Sequence, residues 1–332
     1  MKTTEETVKI SKNKHIGHSL PSLLSVSPAP HLRRLDTVRS IMLDVIIALI
    51  PVIVWSIYRF GVRALCIILI SCATAVISEL LYQLICNKTV RITDLSAAVT
   101  GLMLGLMMPS GVSLWVPCVG SVFAIIVVKQ FFGGLGNNIV NPAIAGRVFL
   151  MLCWPQQMVS YVDKSGDLVS SATPLVELKA KAAPTEDIFN IVIGNVDGAI
   201  GEISAIAICA GFIYLLFRKV VSWHIPVSFI GSFVLISIIF PITGEPSATF
   251  YQVFSGSLLF CALLCANDCS TTPITGAGKI IFGIGCGLIT LIIRYFGAYP
   301  DGTAFAILIM NMLVPLIDFW TRPLVFGHRR RG

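Results

Sequence analysis

The sequence predicts an all-α polytopic membrane protein. About ten transmembrane helices are laid out as two inverted five-helix repeats that include broken or short helices. Three observations predict this. Apolar residues make up 55% of the 332 residues and charged residues only 12%, where soluble domains carry about 25% charged residues. Mean hydropathy is accordingly high, at +0.86. Apolar runs recur along the chain at a length that suits the roughly 30 Å hydrocarbon core of a bilayer. Lys and Arg gather at one set of run ends rather than the other, as topology signals do.

Residues 1–40 read as a cytoplasmic N-terminal arm, polar and basic, without an apolar stretch of signal-peptide type. The first membrane repeat covers 41–153, with spans near 41–60, 62–86, 94–108, 112–131 and 140–153. An extracytoplasmic polar loop, 154–198, follows. The second repeat covers 199–321, with spans near 200–217, 223–241, 249–266, 279–297 and 303–320, and 322–332 is a cytoplasmic basic tail. Trp55, Trp115, Trp154, Trp223 and Trp320 all fall at predicted span ends, where the amphipathic indole is favoured. An odd number of spans per half turns the second half over in the membrane, as in inverted repeats. Faint internal similarity agrees, with Gln130-Phe131-Phe132-Gly133 set against Arg294-Tyr295-Phe296-Gly297 and Thr100-Gly101 against Ser255-Gly256.

With the N-terminus inside, 17 Lys and Arg face the cytoplasm and 6 face outward, with Arg147 inside a span. The bias puts both termini in the cytoplasm and loop 154–198 outside. The net charge of +7 is spread among span ends in this way, so nucleic acid is not an expected partner.

Two spans look broken. Gly133-Gly134-Leu135-Gly136 is followed by Asn137-Asn138-Ile139-Val140-Asn141-Pro142; Asn141 suits an N-cap and Pro142 a first helical turn. In the second half, Asn267 and Asp268 precede Thr271-Thr272-Pro273. Non-helical backbone at membrane depth survives only where protein buries it or a cavity wets it. These segments are therefore either a ligand or ion site between the halves or ordinary surface loops. Charges within apolar runs are costly and point to ion paths or pairs. Asp44, Glu79, Arg147 and Asp268 are the ion-path candidates, with Asp44 and Asp318 equally suited to the cytoplasmic interface. Arg147 suits pairing with a carboxylate or a ligand anion.

Familiar catalytic patterns are absent. No CxxC pair occurs among the ten cysteines, none of the five histidines sits at metal-ligand spacing, and neither a Walker A loop nor a dinucleotide-binding GxGxxG is present. No metal site is expected. Cys261, Cys265 and Cys269 recur every four residues, which in a helix places them roughly on one face. They read as small residues at a helix interface or, alternatively, as ligands shared with another subunit.

The segment Asp167-Leu168-Val169-Ser170-Ser171-Ala172-Thr173 lies in the polar loop. By composition it caps a helix that Thr173-Pro174 starts and that runs through Leu178, with Glu177 reaching back.

A resemblance adds a second reading. Ser27-Pro28-Ala29-Pro30-His31, Ile41-Met42-Leu43-Asp44-Val45, the run from Phe132 through Asn141-Pro142-Ala143, Ala266-Asn267-Asp268, Phe282-Gly283-Ile284-Gly285, Tyr299-Pro300-Asp301-Gly302 and Pro315-Leu316-Ile317-Asp318 occur in the order of one family. From Ser25 to Gly327 the chain resembles the NqrB/RnfD family, membrane subunits of ion-translocating electron-transport complexes. The resemblance implies a part in a Rnf-type ferredoxin:NAD⁺ oxidoreductase of a bacterial or archaeal cytoplasmic membrane. It implies FMN esterified through its phosphate to Thr173 by a flavin transferase, with Asp167, Ser170, Ser171 and Ala172 forming the acceptor motif. Ser171 stands where related subunits usually have glycine. It also implies a second, non-covalent flavin, riboflavin, near Asn138 and Asn141. Ferredoxin and NAD⁺ would be handled by partners, which include a second FMN-carrying subunit and iron–sulfur subunits, and electron flow would be coupled to Na⁺ or H⁺ export. Cys269 stands where relatives often have proline after the Asp of the Ala266-Asn267-Asp268 motif. The rival readings are a stand-alone secondary transporter or channel built from inverted repeats, and a scaffold subunit without a cofactor.

Overall fold

The computed structural model describes residues 37–162, 168–169, 174–180, 187–196, 198–241, 248–268 and 270–323. Among these the chain is helical, apart from a two-residue hairpin in which β1 (Tyr161–Val162) pairs antiparallel with β2 (Leu168–Val169). The helices are α1 (Val38–Phe60), α2 (Val62–Ile85), α3 (Ser96–Leu106), α4 (Trp115–Val122, continued by a π-helical Phe123–Gln130) and α5 (Pro142–Cys153). The short α6 (Pro174–Lys179) and α7 (Ile188–Ile193) follow the hairpin. Then come α8 (Ala205–Phe217), α9 (His224–Ile239), α10 (Ala248–Phe254), α11 (Leu258–Phe260, continued by a π-helical Cys261–Cys265), α12 (Gly276–Phe296) and α13 (Thr303–Thr321).

Helices occupy all ten predicted span positions, and they differ widely in length. Among the described residues, α1, α2, α12 and α13 are long and apolar enough to cross a membrane, joined by a fifth if α10 and α11, bent by 58° at their break, count as one. The 11 residues of α3 rise about 16 Å and the 12 of α5 about 18 Å at 1.5 Å per residue, roughly half a hydrocarbon core. Half-length helices need buried ends. The chain after α3 meets them by pairing with the segment before α8, with Ile200 N donating to Met108 O (2.9 Å) and Gly201 N to Leu106 O (2.6 Å). Ser56 Oγ caps that crossing by donating to Ile200 O (2.6 Å).

The predicted loop 154–198 forms a cap whose described residues include β1, β2, α6 and α7. Large apolar side chains such as Tyr58, Ile85, Phe217, Phe240 and Phe296 stay exposed around the bundle, the surface expected of helices facing lipid. A polytopic membrane protein follows from these lengths and faces.

Packing between helices rests on small residues. α12 lies along α9, with Gly283 and Gly287 meeting Ser228 and Ser232. A Cβ on Gly287 would fall on Ser232 Oγ and 2.8 Å from Phe229 O. This is the small-xxx-small contact that lets membrane helices approach. Gly287→Leu is therefore expected to cost roughly 1–3 kcal/mol through overpacking, read as a lower midpoint in detergent-induced unfolding with membrane insertion retained.

The Cys261-Cys265 segment is π-helical, closed by Ala266 N donating to Cys261 O at 2.7 Å, so the spacing of four does not mark one face of an α-helix. Cys269 lies outside the described residues.

Candidate functional site

The buried polar residues gather at two ends of the bundle: the loop end, where the cap sits, and the far end, where α1 starts.

At the far end, α4 delivers Lys129 and Gln130 to Glu79 of α2. Lys129 Nζ donates to Glu79 Oε2 (2.8 Å) and to Ser96 Oγ (2.6 Å), while Gln130 Nε2 donates to Glu79 Oε1 (2.7 Å). Lys129 is 1% exposed and Glu79 2%, so this ion pair is buried, and Glu79 also borders an open cleft with Gln83, Arg91 and Asp94. The chain then turns through Gly133, Gly134 and Gly136, all at positive φ, and restarts at Asn141. The predicted cap forms: Asn141 Oδ1 accepts from Ala143 N (3.0 Å) and Ile144 N (3.4 Å). Asn141 also joins the halves, because its Nδ2 donates to Cys265 O at the end of α11 (3.1 Å). With its amide oriented to suit both neighbours, Asn311 of α13 accepts from Asn141 N (3.1 Å) and donates to Thr271 O (3.2 Å). Both predicted breaks therefore meet at one place.

A largely apolar cavity opens there, with about 730 Å³ of non-atom space that includes open solvent. Lys129, Asn138, Asn141 and Asp268 supply its polar wall. Asn138 is buried, and its Oδ1 has no hydrogen-bond partner among the described residues. Asp268 is held by Ser270 Oγ (2.9 Å).

At the loop end, Arg147 of α5 pairs with Glu202, which precedes α8, and its Nη2 lies 3.9 Å from Asp301 Oδ2. Arg294 Nη2 donates to Asp301 Oδ1 (3.2 Å). Asp301 also accepts from Thr303 Oγ1 (2.7 Å), Ser257 N (3.1 Å) and Ser257 Oγ, so one carboxylate ties α12, α13 and the α10–α11 break. Arg294 covers the Phe233 ring, 5.1 Å from its centroid. A second cavity, about 550 Å³ of open space, is lined by Arg147, Tyr161, Leu175, Glu202, Gly256 and Asp301 among others. Arg147 Nε, on a residue that lines it, is buried without a hydrogen-bond partner among the described residues, as is Arg294 Nε of the neighbouring charge cluster. Burial, reinforced by Glu202, pushes the Tyr161 hydroxyl up to about 12, so it stays protonated at neutral pH.

The two cavities share their walls. Asn141 of α5 lines the first and Arg147 the second, six residues or about 9 Å apart along the helix. Ser255 and Gly256 at the head of α11 line the second, and Leu264 near its tail lines the first.

Asn138, Asn141 and Asp268 thus come together, whereas Arg147 belongs to the other cavity. Glu79 reaches the first cavity only through Lys129. Asp44 stands apart, bonded to Arg218 Nε (3.1 Å) and Tyr214 Oη (2.9 Å), with the Arg218 side chain 51% exposed. Asp318 accepts from Ile274 N (3.1 Å) at the start of the turn into α12. Asp167, Ser170, Ser171, Ala172 and Thr173 lie outside the described residues. Among the described residues no group of three or more His, Cys, Asp or Glu is placed to hold a metal ion. Sequence reasoning missed the site roles of Glu202, Asp301, Tyr161 and Asn311, and it counted Lys129 and Arg294, near the ends of spans 112–131 and 279–297, as topology charges. A carboxylate directly following Gly201 at a span start was the one available signal for Glu202.

Fold and cavities define a multi-pass membrane protein with a cavity at each end of a pair of short internal helices. The chain belongs to the NQR2, RnfD, RnfE family, whose model matches residues 25–327. It is 41% identical over 310 residues to the D component of the Na⁺-translocating ferredoxin:NAD⁺ oxidoreductase complex of Acetobacterium woodii, covering 92% of this chain and 95% of that one. It is 37% identical to the D component of the proton-translocating ferredoxin:NAD⁺ oxidoreductase complex of Clostridium ljungdahlii, over 93% of this chain and 98% of that one. The D component of the ion-translocating oxidoreductase complex of Escherichia coli is 34% identical, over 92% and 99%.

Proposed function

We propose that the chain is a membrane subunit of a Rnf-type ion-translocating ferredoxin:NAD⁺ oxidoreductase, that it carries FMN on Thr173 and that it relays electrons in step with Na⁺ or H⁺ translocation. Its relatives' names differ in the ion, so likeness does not choose between the two. The chain acts within the complex, beside a second FMN-carrying subunit and iron–sulfur subunits, and a flavin transferase matures it. It sits in a bacterial or archaeal cytoplasmic membrane with both termini cytoplasmic and the 154–198 cap outside. Lys129 and Arg294 are buried and drop out of the Lys/Arg count, one from each side, so the bias that supports this orientation stands. The ten helices form two inverted repeats in this reading. In support, α1 packs on α8 and α5 on α13, which are the first and last helices of each half.

The observation that carries the flavin reading is the position of Leu175. Two residues past Thr173 in sequence, it lines the loop-end cavity with Arg147, Tyr161 and Asp301. Unpaired buried donors suit a group rich in acceptors, and the neutral Tyr161 hydroxyl adds another donor. In the far-end cavity, the unpartnered Asn138 Oδ1 and the apolar lining suit riboflavin, whose ring edge both donates and accepts. Bound flavins supply the one-electron chemistry; the chain supplies position, a water-poor setting and charge.

The test is a denaturing gel viewed under ultraviolet light, using the full chain from a host that has the transferase. The parent band is expected to fluoresce and the Thr173→Ala band to be dark at equal protein. A dark parent band rejects the covalent flavin and favours a stand-alone transporter.

A further inference from the structure

We propose that Glu202 is a proton-binding site of the loop-end cavity, and that Arg147 answers the proton by moving from Glu202 to Asp301. The inference goes beyond the flavin reading and does not depend on it.

The two carboxylates of the cluster are held very differently. Asp301 accepts from Arg294, from Thr303 Oγ1 and from both the backbone and the side chain of Ser257. Against the pull of burial, Arg294 and Arg147 hold its carboxyl below the ordinary carboxylate range. Among the described residues the Glu202 carboxylate accepts from Arg147 Nη1 alone. Glu202 is 7% exposed, and a carboxylate withdrawn from water to that degree is costly unless several donors replace the water. Asp301 has those donors and stays ionised. Glu202 has one, and it lines a cavity whose free space includes open solvent. It is therefore the member of the pair that a proton neutralises.

Arg147 is placed to respond. It is 8% exposed, it lines the same cavity, and its Nε has no partner among the described residues. One arm of its fork, Nη1, rests on Glu202, while Nη2 lies 3.9 Å from Asp301 Oδ2, beyond hydrogen-bond length. A proton passed from hydronium to a Glu202 oxygen forms an O–H bond, leaves water behind and cancels the charge that holds Nη1. Arg147 then faces Asp301 as its remaining anion. Closing the 3.9 Å gap brings its fork onto the carboxylate that ties α12, α13 and the α10–α11 break, and loss of the proton reverses the move. Proton occupancy at Glu202 is thereby felt at the break.

The other charged or titratable groups that face Glu202 are Arg294 of α12, Tyr161 of β1 and Cys265 of the π-helical turn, and Cys261 faces Arg147. Arg294 is committed to Asp301 and to Gln252 O, and the Tyr161 hydroxyl keeps its own proton at neutral pH. Neither takes the place of Arg147. A metal cation is a poor ligand here, because the guanidinium already sits on Glu202 and repels it. A proton needs one lone pair.

The test is infrared difference spectroscopy of the full chain in detergent, with pH stepped from about 8 to about 5, above the ordinary carboxyl titration at about 4. The parent is expected to gain a protonated-carboxyl stretch that shifts in D₂O and that is missing in Glu202→Gln. Arg147→Gln is expected to gain the band at higher pH, since a neighbouring cation favours the ionised form. Where Arg147→Gln does not fold, the comparison of parent with Glu202→Gln decides. Exchanging choline for Na⁺ at constant ionic strength is expected to leave the parent band unchanged. A parent without the band, a band that persists in Glu202→Gln, or a band that Na⁺ removes overturns the proton site. The readout needs no flavin, so a dark parent band on the gel rejects the flavin reading and leaves this result standing.

Discussion

Lys129→Met is expected to destabilise the folded chain by about 3–5 kcal/mol, the cost of removing one partner of a buried ion pair. Glu79 would be left at 2% exposure with only Gln130 and Gln83 as donors, and neither amide carries a charge. Detergent-induced unfolding of the purified chain should show the loss as a lower midpoint. The double variant Glu79→Gln/Lys129→Met should recover most of it, since a neutral pair leaves no unmatched charge. A double variant as unstable as the single one would mean that packing of the lysine stem, rather than charge, sets the effect.

Asp301→Asn is expected to cost a similar ~3–5 kcal/mol, for a different reason. The carboxylate answers two guanidinium groups and the Ser257 and Thr303 donors together. An amide keeps the shape but removes the charge, and its NH₂ turns a donor toward groups that already donate. Glu202 would remain as the sole carboxylate against Arg147 and Arg294. The expected readouts are a lower unfolding midpoint and faster protease cleavage near the α10–α11 break, because Ser257 loses its anchor. Unchanged cleavage at the break would show that Asp301 does not hold it.

Much of the architecture was legible because it depends on run length. The four long helices α1, α2, α12 and α13 follow apolar stretches that have no other stable disposition in a bilayer. The Asn141–Pro142 restart was equally legible, since a cap and a first-turn proline are local chemistry. The short helices stand at the expected places, but an apolar run does not reveal whether its backbone bends inside the membrane, so run length alone does not fix how many of them cross. The charge clusters escaped for a related reason. Lys129 and Arg294 each close an apolar helix, and a cation there looks the same whether it meets solvent or protein. Glu79, the partner of Lys129, lies 50 residues away in sequence, a distance over which no periodicity reports. The pairing of Arg147 with Glu202 spans 55 residues and was anticipated only as a carboxylate or anion in general.

The wide turns in α4 and α11 carry a consequence for descent. A π-helical stretch arises when one residue is inserted into an α-helix and the surplus is absorbed as a bulge. Each added residue swings everything after it by roughly 100° about the axis, and that rotation helps aim Lys129 at Glu79 in one half and the Cys265 carbonyl at Asn141 in the other. If both halves came from a duplicated ancestor, such insertions must be met with single-residue gaps when one half is aligned on the other. On such a descent, an ungapped comparison would fall out of phase at Phe123–Gln130 and again at Cys261–Cys265, and kinship would show only in short matches.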